Sequence, residues 1–211
     1  MPHRRLTPRR VVAASTRRVR HAPARRRAIR QARDFDAAHR GAVRVCWDLD
    51  NTLVDSGALL RRGMPLHEAA VAAEPIAGIL ALRDALRAEL PGAAHFVLSV
   101  RPATMRDDTL AWLARHVADV PESAVALVSS PYDKPPVWRR LGRGGRLIVV
   151  DDLSSGHETG EIVAYRHLPE QAARIADAYV DLETIDGLAL RPSASGSIAE
   201  RLAATVSAPR L

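Results

Sequence analysis

Four apolar runs, residues 43–47, 95–100, 124–128 and 146–150, are separated by longer and more polar stretches, and three of them end at side chains able to do chemistry: Asp48, Ser99 and Asp151. Short continuous runs of this kind suit strands buried on both faces, as in a parallel sheet, better than half-exposed strands that alternate in polarity. Parallel neighbours need long crossovers, and the intervening stretches supply them. After Pro75, the residues Ile76, Ile79, Leu82, Leu86 and Leu90 recur at helical spacing until Pro91-Gly92 ends the pattern. A second helix is predicted over 103–116, with Leu110, Leu113 and Val117 facing the sheet, and a fifth strand over 161–165. The expected fold is α/β, a three-layer sandwich with a mostly parallel sheet. Ligands of such sheets bind beyond the carboxyl ends of the strands, which is where the chemistry is to be sought.

Charge divides the chain. Residues 1–40 carry 13 Arg against Asp34 and Asp36, so the remainder of a +7 chain is mildly acidic. With prolines at 2, 8 and 23 and few large apolar residues, residues 1–40 are expected to be a disordered basic tail, although 24–38 could form a helix. Residues 41–191 are then the folded domain, and 192–211 a flexible spacer followed by an amphipathic helix over 198–206. The lone cysteine, Cys46, allows no internal disulfide. No apolar stretch approaches the roughly 20 residues of a membrane span. The expectation is a soluble, cytoplasmic protein without membrane contact. The eight histidines show no metal-ligand spacing and are assigned no role, and Trp112 is read as core packing.

The first run leads into Asp48-Leu49-Asp50-Asn51-Thr52-Leu53 and the fourth into Asp151-Asp152. Carboxylates gathered at the ends of buried strands repel one another unless a cation sits among them, and a hard oxygen-ligated ion such as Mg²⁺ answers that need. Ser99 could hydrogen-bond a phosphate oxygen and Arg101 could grip it. Lys134, the only lysine in the chain, offers a compact ammonium to neutralise nucleophile and phosphate together.

These four segments resemble, in order and in strand context, the four motifs of the haloacid dehalogenase (HAD) superfamily. Asp48, Asp50 and Thr52 match its Asp-x-Asp-x-Thr, Ser99 its second motif, Lys134 its third, and Asp151-Asp152 the acidic pair of its fourth. The resemblance spans about residues 43–168. It implies a Mg²⁺-dependent phosphatase in which Asp48 is the nucleophile and Asp50 the acid and base. Thr52, Ser99, Arg101 and Lys134 would bind phosphate. The metal would be held by Asp48, the main-chain carbonyl of Asp50 and Asp152, with Asp151 as an accessory acid orienting Lys134 or a metal-bound water. Cys46-Trp47 ahead of Asp48 depart from the commoner pairs, and the nearest acid after Asp152 is Glu158.

Family specificity is largely set by cap insertions. About 42 residues separate Leu53 from Phe96, and after the predicted helix only 54–74 is left, enough for a small flap and too short for a cap domain. An open site would admit large substrates. Ser99-Val100-Arg101-Pro102 followed by Arg106 to Leu113 also resembles polynucleotide 3′-phosphatases and some nucleotidases, which implies a nucleotide or nucleic-acid end as substrate. The Arg-rich tail could make non-specific contacts with nucleic acid. A rival of another class is a regulatory protein that keeps this fold, and a basic arm, without turnover.

Overall fold

A computed structural model describes residues 8–209, with the side chains of 22–209. The chain runs α1 (Pro8–Ala38), β1 (Arg44–Trp47), α2 (Ser56–Arg61), α3 (Leu66–Ala72), α4 (Ala77–Glu89), β2 (Ala94–Ser99), α5 (Arg106–His116) and β3 (Val125–Leu127). It continues with α6 (Lys134–Leu141), β4 (Leu147–Val150), β5 (Ser154–Ser155), β6 (Val163–Ala164), α7 (Leu168–Ile175), β7 (Ala178–Val180), α8 (Leu182–Leu190) and α9 (Ser195–Ser207).

The architecture is α/β. Five parallel strands lie in the order β3-β2-β1-β4-β7 between two helical layers. β1 and β4 are buried at every residue, which is why their sequences read as continuous apolar runs. The chain steps outward from β1 through β2 to β3, then returns past β1 to β4 and on to β7. Right-handed crossovers therefore put α4 and α5 on one face and α6 and α7 on the other. α8 and α9 pack on α4, and α1 lies against α6 and β3. The reversal leaves a crevice between the carboxyl ends of β1 and β4, the position where an open α/β sheet binds its ligand.

Three expectations need correction. The predicted strand at 161–165 is not in the sheet: Val163–Ala164 pairs antiparallel with Ser154–Ser155 in a separate hairpin. Its apolar residues Ile162 and Val163 are exposed, so burial does not drive them into the sheet, and the fifth strand is β7 instead. The spacer expected at 192–197 is docked, since the buried Ser195 hydroxyl donates to the Gly78 carbonyl at 2.8 Å and starts α9 against α4. The expected disorder of 1–7 lies outside the described residues. Residues 22–38, by contrast, form the last part of α1, whose Ala28, Ala32 and Phe35 are buried in the core, so the domain begins within this helix rather than at residue 41. Small side chains at 28 and 32 let the helix lie close to α6, which a count of large apolar residues does not register.

A buried ion pair fastens that helix. Arg44, with no exposed surface, donates to Asp36 Oδ1 at 2.8 Å, to the Ala42 carbonyl at 3.0 Å and to the His39 carbonyl at 2.9 Å. Removing one partner of such a pair strands a charge in low dielectric. Asp36→Ala is therefore expected to lower unfolding free energy by about 3–5 kcal/mol in urea titration. A loss below about 1 kcal/mol, the level of an ordinary surface substitution, would mean that α1 is not docked as described.

Candidate functional site

The crevice at the β1/β4 reversal holds a pocket of about 220 Å³. Asp48 follows β1 directly. Its backbone N–H still donates to the Val150 carbonyl at 2.8 Å, so the sheet's own hydrogen bonding fixes where the carboxylate begins. Beyond it Asn51 takes a left-handed φ of 59°, which Asn tolerates better than most residues, and Val54 N donates back to the Leu49 carbonyl at 2.9 Å. This tight loop presents Asp48 and Asp50 at one strand end. On β4 the equivalent device is Leu153, also left-handed at φ 46°, a strained conformation for a leucine. Its N–H donates to Asp151 Oδ1 at 3.1 Å, and the turn brings both Asp151 and Asp152 to the crevice.

Asp48, Asp151 and Asp152 each offer an oxygen lying within 4.8 Å of the others, and all three residues are buried. Lys134, at the first turn of α6, places Nζ 2.9 Å from Asp48 Oδ1 and 2.6 Å from Asp151 Oδ2. Burial, then the neighbouring Asp151, holds the Asp48 carboxyl well above the usual carboxylate range. Burial also pushes Asp151 up to about 6, against the pull of Lys134. Burial works against the charge on Lys134, but Asp151 and Asp48 outweigh it and raise its pKa. When fully ionised, three carboxylates against one ammonium would leave two negative charges, the complement of one divalent cation. The all-oxygen donor set suits Mg²⁺.

Asp50 stands apart from this cluster. Arg101 grips it with two hydrogen bonds, Nε to Oδ2 at 2.7 Å and Nη2 to Oδ1 at 2.6 Å, and Ser99 Oγ lies 3.5 Å from Oδ2. Arg101 is itself aimed by Thr109, whose hydroxyl accepts from Nη1 at 3.1 Å and donates to the Met105 carbonyl at 2.7 Å. Two expected phosphate ligands lie off the pocket lining: the buried Arg101, which holds Asp50, and Thr52, whose role changes. Thr52 is fully buried, with its hydroxyl donating to Asp152 Oδ1 and accepting from Asp152 N, both at 3.2 Å. It orients Asp152 and is not placed to touch a phosphate.

Sequence reasoning passed over His157. It is buried, lines the pocket, and sets Nε2 3.1 Å from Asp152 Oδ2 and 2.6 Å from Ser154 Oγ, with Ser154 also bonded to Asp152. A histidine five residues past the acidic pair carries no recognisable ligand spacing. The signal was its place in the loop leaving a site strand. Tyr165 also lines the pocket, edge-on to exposed Tyr132 at a ring separation of 6.2 Å. Residues 54–74, the stretch left for a flap, hold only the short helices α2 and α3. Trp112 is core, with Nε1 donating to the Ala73 carbonyl at 2.8 Å. Among the described residues no helix is long and apolar enough to cross a membrane.

Comparison of the chain with protein-family models, with curated proteins and with solved structures finds no match.

Proposed function

We propose that the chain is a Mg²⁺-dependent phosphohydrolase of the HAD type that cleaves a phosphate monoester through an aspartyl-phosphate on Asp48. The observation that carries this reading is the cluster of Asp48, Asp151 and Asp152 around a single ammonium at the strand-order reversal. Asp48 Oδ would attack phosphorus in line, forming one O–P bond as the ester O–P bond breaks. Asp50 would give a proton to the leaving oxygen and later take one from the water that attacks the aspartyl-phosphate. An arriving phosphate competes with Asp50 for Arg101, so its binding would trade one anionic partner of the guanidinium for another and free Asp50 to carry that proton. Ser99, which lines the pocket beside Asp50, would share in holding the phosphate. Lys134 would balance charge on Asp48 and on the transferring group. Mg²⁺, held by Asp48, Asp152 and the Asp50 carbonyl with Asp151 alongside, would neutralise phosphate charge. A reducing, cytoplasmic setting accords with a buried Cys46.

The test is release of phosphate from an aryl phosphate with and without Mg²⁺, alongside binding of Mg²⁺ and of beryllofluoride, a mimic of the phosphorylated carboxylate. Metal-dependent turnover is the expected result. Folded protein that neither turns over nor binds either probe would sink the enzyme and leave a fold kept for binding or regulation.

A further inference from the structure

Over residues 22–38, α1 buries Ala28 and Ala32 in the core and turns its arginines outward. Between α1 and α6 lies an open concavity of about 760 Å³ lined by Arg26, Arg27, Arg30, Arg33, Arg140 and Arg143. Arg33 pairs with Asp34 at 3.1 Å and Arg140 with Asp36 at 3.4 Å. Among the described residues no carboxylate pairs with Arg26, Arg27, Arg30 or Arg143. Arg26, Arg30 and Arg33 fall on one helical face over about 10 Å, a like-charge spacing that weakens a helix. Fold stability therefore does not account for it, and an anion from outside would.

Arg27 also lines a second depression, of about 210 Å³, which reaches Arg106 and then Arg101, the residue holding Asp50. The basic surface thus leads to the wall of the crevice. Tyr165, which lines the crevice, and the exposed Tyr132 packed edge-on against it are aromatic rings of the sort on which bases stack.

We infer that the groove between α1 and α6 binds the backbone of a polynucleotide strand and directs its phosphorylated end toward Asp48. The direction of the strand rests on the phosphatase reading, whereas occupancy of the groove does not. Arginine forks match phosphate oxygens in pairs, and a concave track suits a chain of phosphates. A membrane surface fits less well, because it calls for apolar side chains to insert. The apolar lining of the concavity is only Pro23 and the half-buried Ile29, and none of the exposed large hydrophobic residues, Leu66, Val100, Tyr132, Ile162, Val163 and Leu190, borders it.

The experiment is fluorescence anisotropy of a short fluorescein-labelled single-stranded oligonucleotide bearing a 3′-phosphate, with the full chain in EDTA so that no turnover intervenes. Arg30→Gln/Arg33→Gln/Arg143→Gln is compared with Arg115→Gln/Arg191→Gln/Arg201→Gln, which removes equal charge from other parts of the surface. The groove variant should bind at least ~10-fold more weakly at moderate salt, with a log–log salt slope shallower by about 2, and the control should stay near wild type. Equal loss in both variants would overturn the groove in favour of net charge or the basic N-terminus. So would a groove variant that binds the oligonucleotide normally but loses affinity for phosphatidylserine vesicles, which would assign the surface to a membrane. Loss confined to the groove variant, in a protein that hydrolyses no phosphate ester, would uphold the groove and refute the phosphatase.

Discussion

If the proposed phosphatase reading holds, Asp48→Asn is expected to lower Mg²⁺-dependent phosphate release by more than about 10⁴-fold, because a neutral amide oxygen cannot serve as the nucleophile. The same substitution should raise the melting temperature of the metal-free protein. Burial and Asp151 hold the Asp48 carboxyl far above its ordinary range, so the fold favours the uncharged form, and Asn approximates that form in shape. Placing a carboxylate there costs stability above the ordinary carboxylate range, because the folded state disfavours the ionised form that the unfolded chain carries. Losing the carboxylate removes repulsion from Asp151 and Asp152, while Lys134 keeps its 2.6 Å contact with Asp151. The expected gain is about 1–2 kcal/mol, or about 2–6 °C for a chain of this size, read by scanning calorimetry in EDTA. Added Mg²⁺ should stabilise wild type and leave the variant nearly unmoved, as linkage requires of a ligand that has lost a donor. A variant less stable than wild type in EDTA would show that Asp48 serves the fold, and would remove the reason to treat its placement as functional.

What was legible in the sequence follows from which forces write into it. β1 and β4 were readable because strands buried on both faces must be apolar throughout, and their terminal carboxylates stood out against that background. α4 was readable from its spacing. β7 was not, since three residues, Ala178, Tyr179 and Val180, carry no periodicity, and their membership in the sheet depends on pairing with β4. The docking of α1 escaped for a related reason: its contact surface is largely alanine, invisible to a search for large side chains in an arginine-rich stretch. At the site, residue types announced Asp48, Asp50, Lys134 and the Asp151-Asp152 pair. Partners did not: that Arg101 would hold Asp50, that Thr52 would serve Asp152, and that His157 would join it are outcomes of tertiary geometry.

Lys134→Met should unfold more readily than any other single-site variant of the crevice when metal is absent. Among the described residues Lys134 is the one lysine or arginine that contacts the three buried carboxylates, and its ammonium touches two of them. Methionine fills much of the same volume without the charge, so the loss is electrostatic rather than a cavity, and the expected cost is about 3–5 kcal/mol at neutral pH. Two conditions should restore stability. Mg²⁺ supplies the missing positive charge, so it should raise the melting temperature of Lys134→Met by more than that of wild type. Acid should also help. In the metal-free wild type, Asp151 titrates at about 6, above an ordinary carboxylate, so its contribution to stability is present at low pH and is lost as pH rises through about 6. Without Lys134 the carboxylates lose the pull that favours their ionised forms, so the same loss should be larger and should extend to higher pH. Turnover should fall about 10²–10³-fold even with saturating metal, because the metal restores net charge but not the ammonium beside the nucleophile. A Lys134→Met protein as stable as wild type in EDTA, and equally responsive to Mg²⁺, would mean that the cluster is balanced by some other group and would refute the charge-complement basis for a divalent ion at this site.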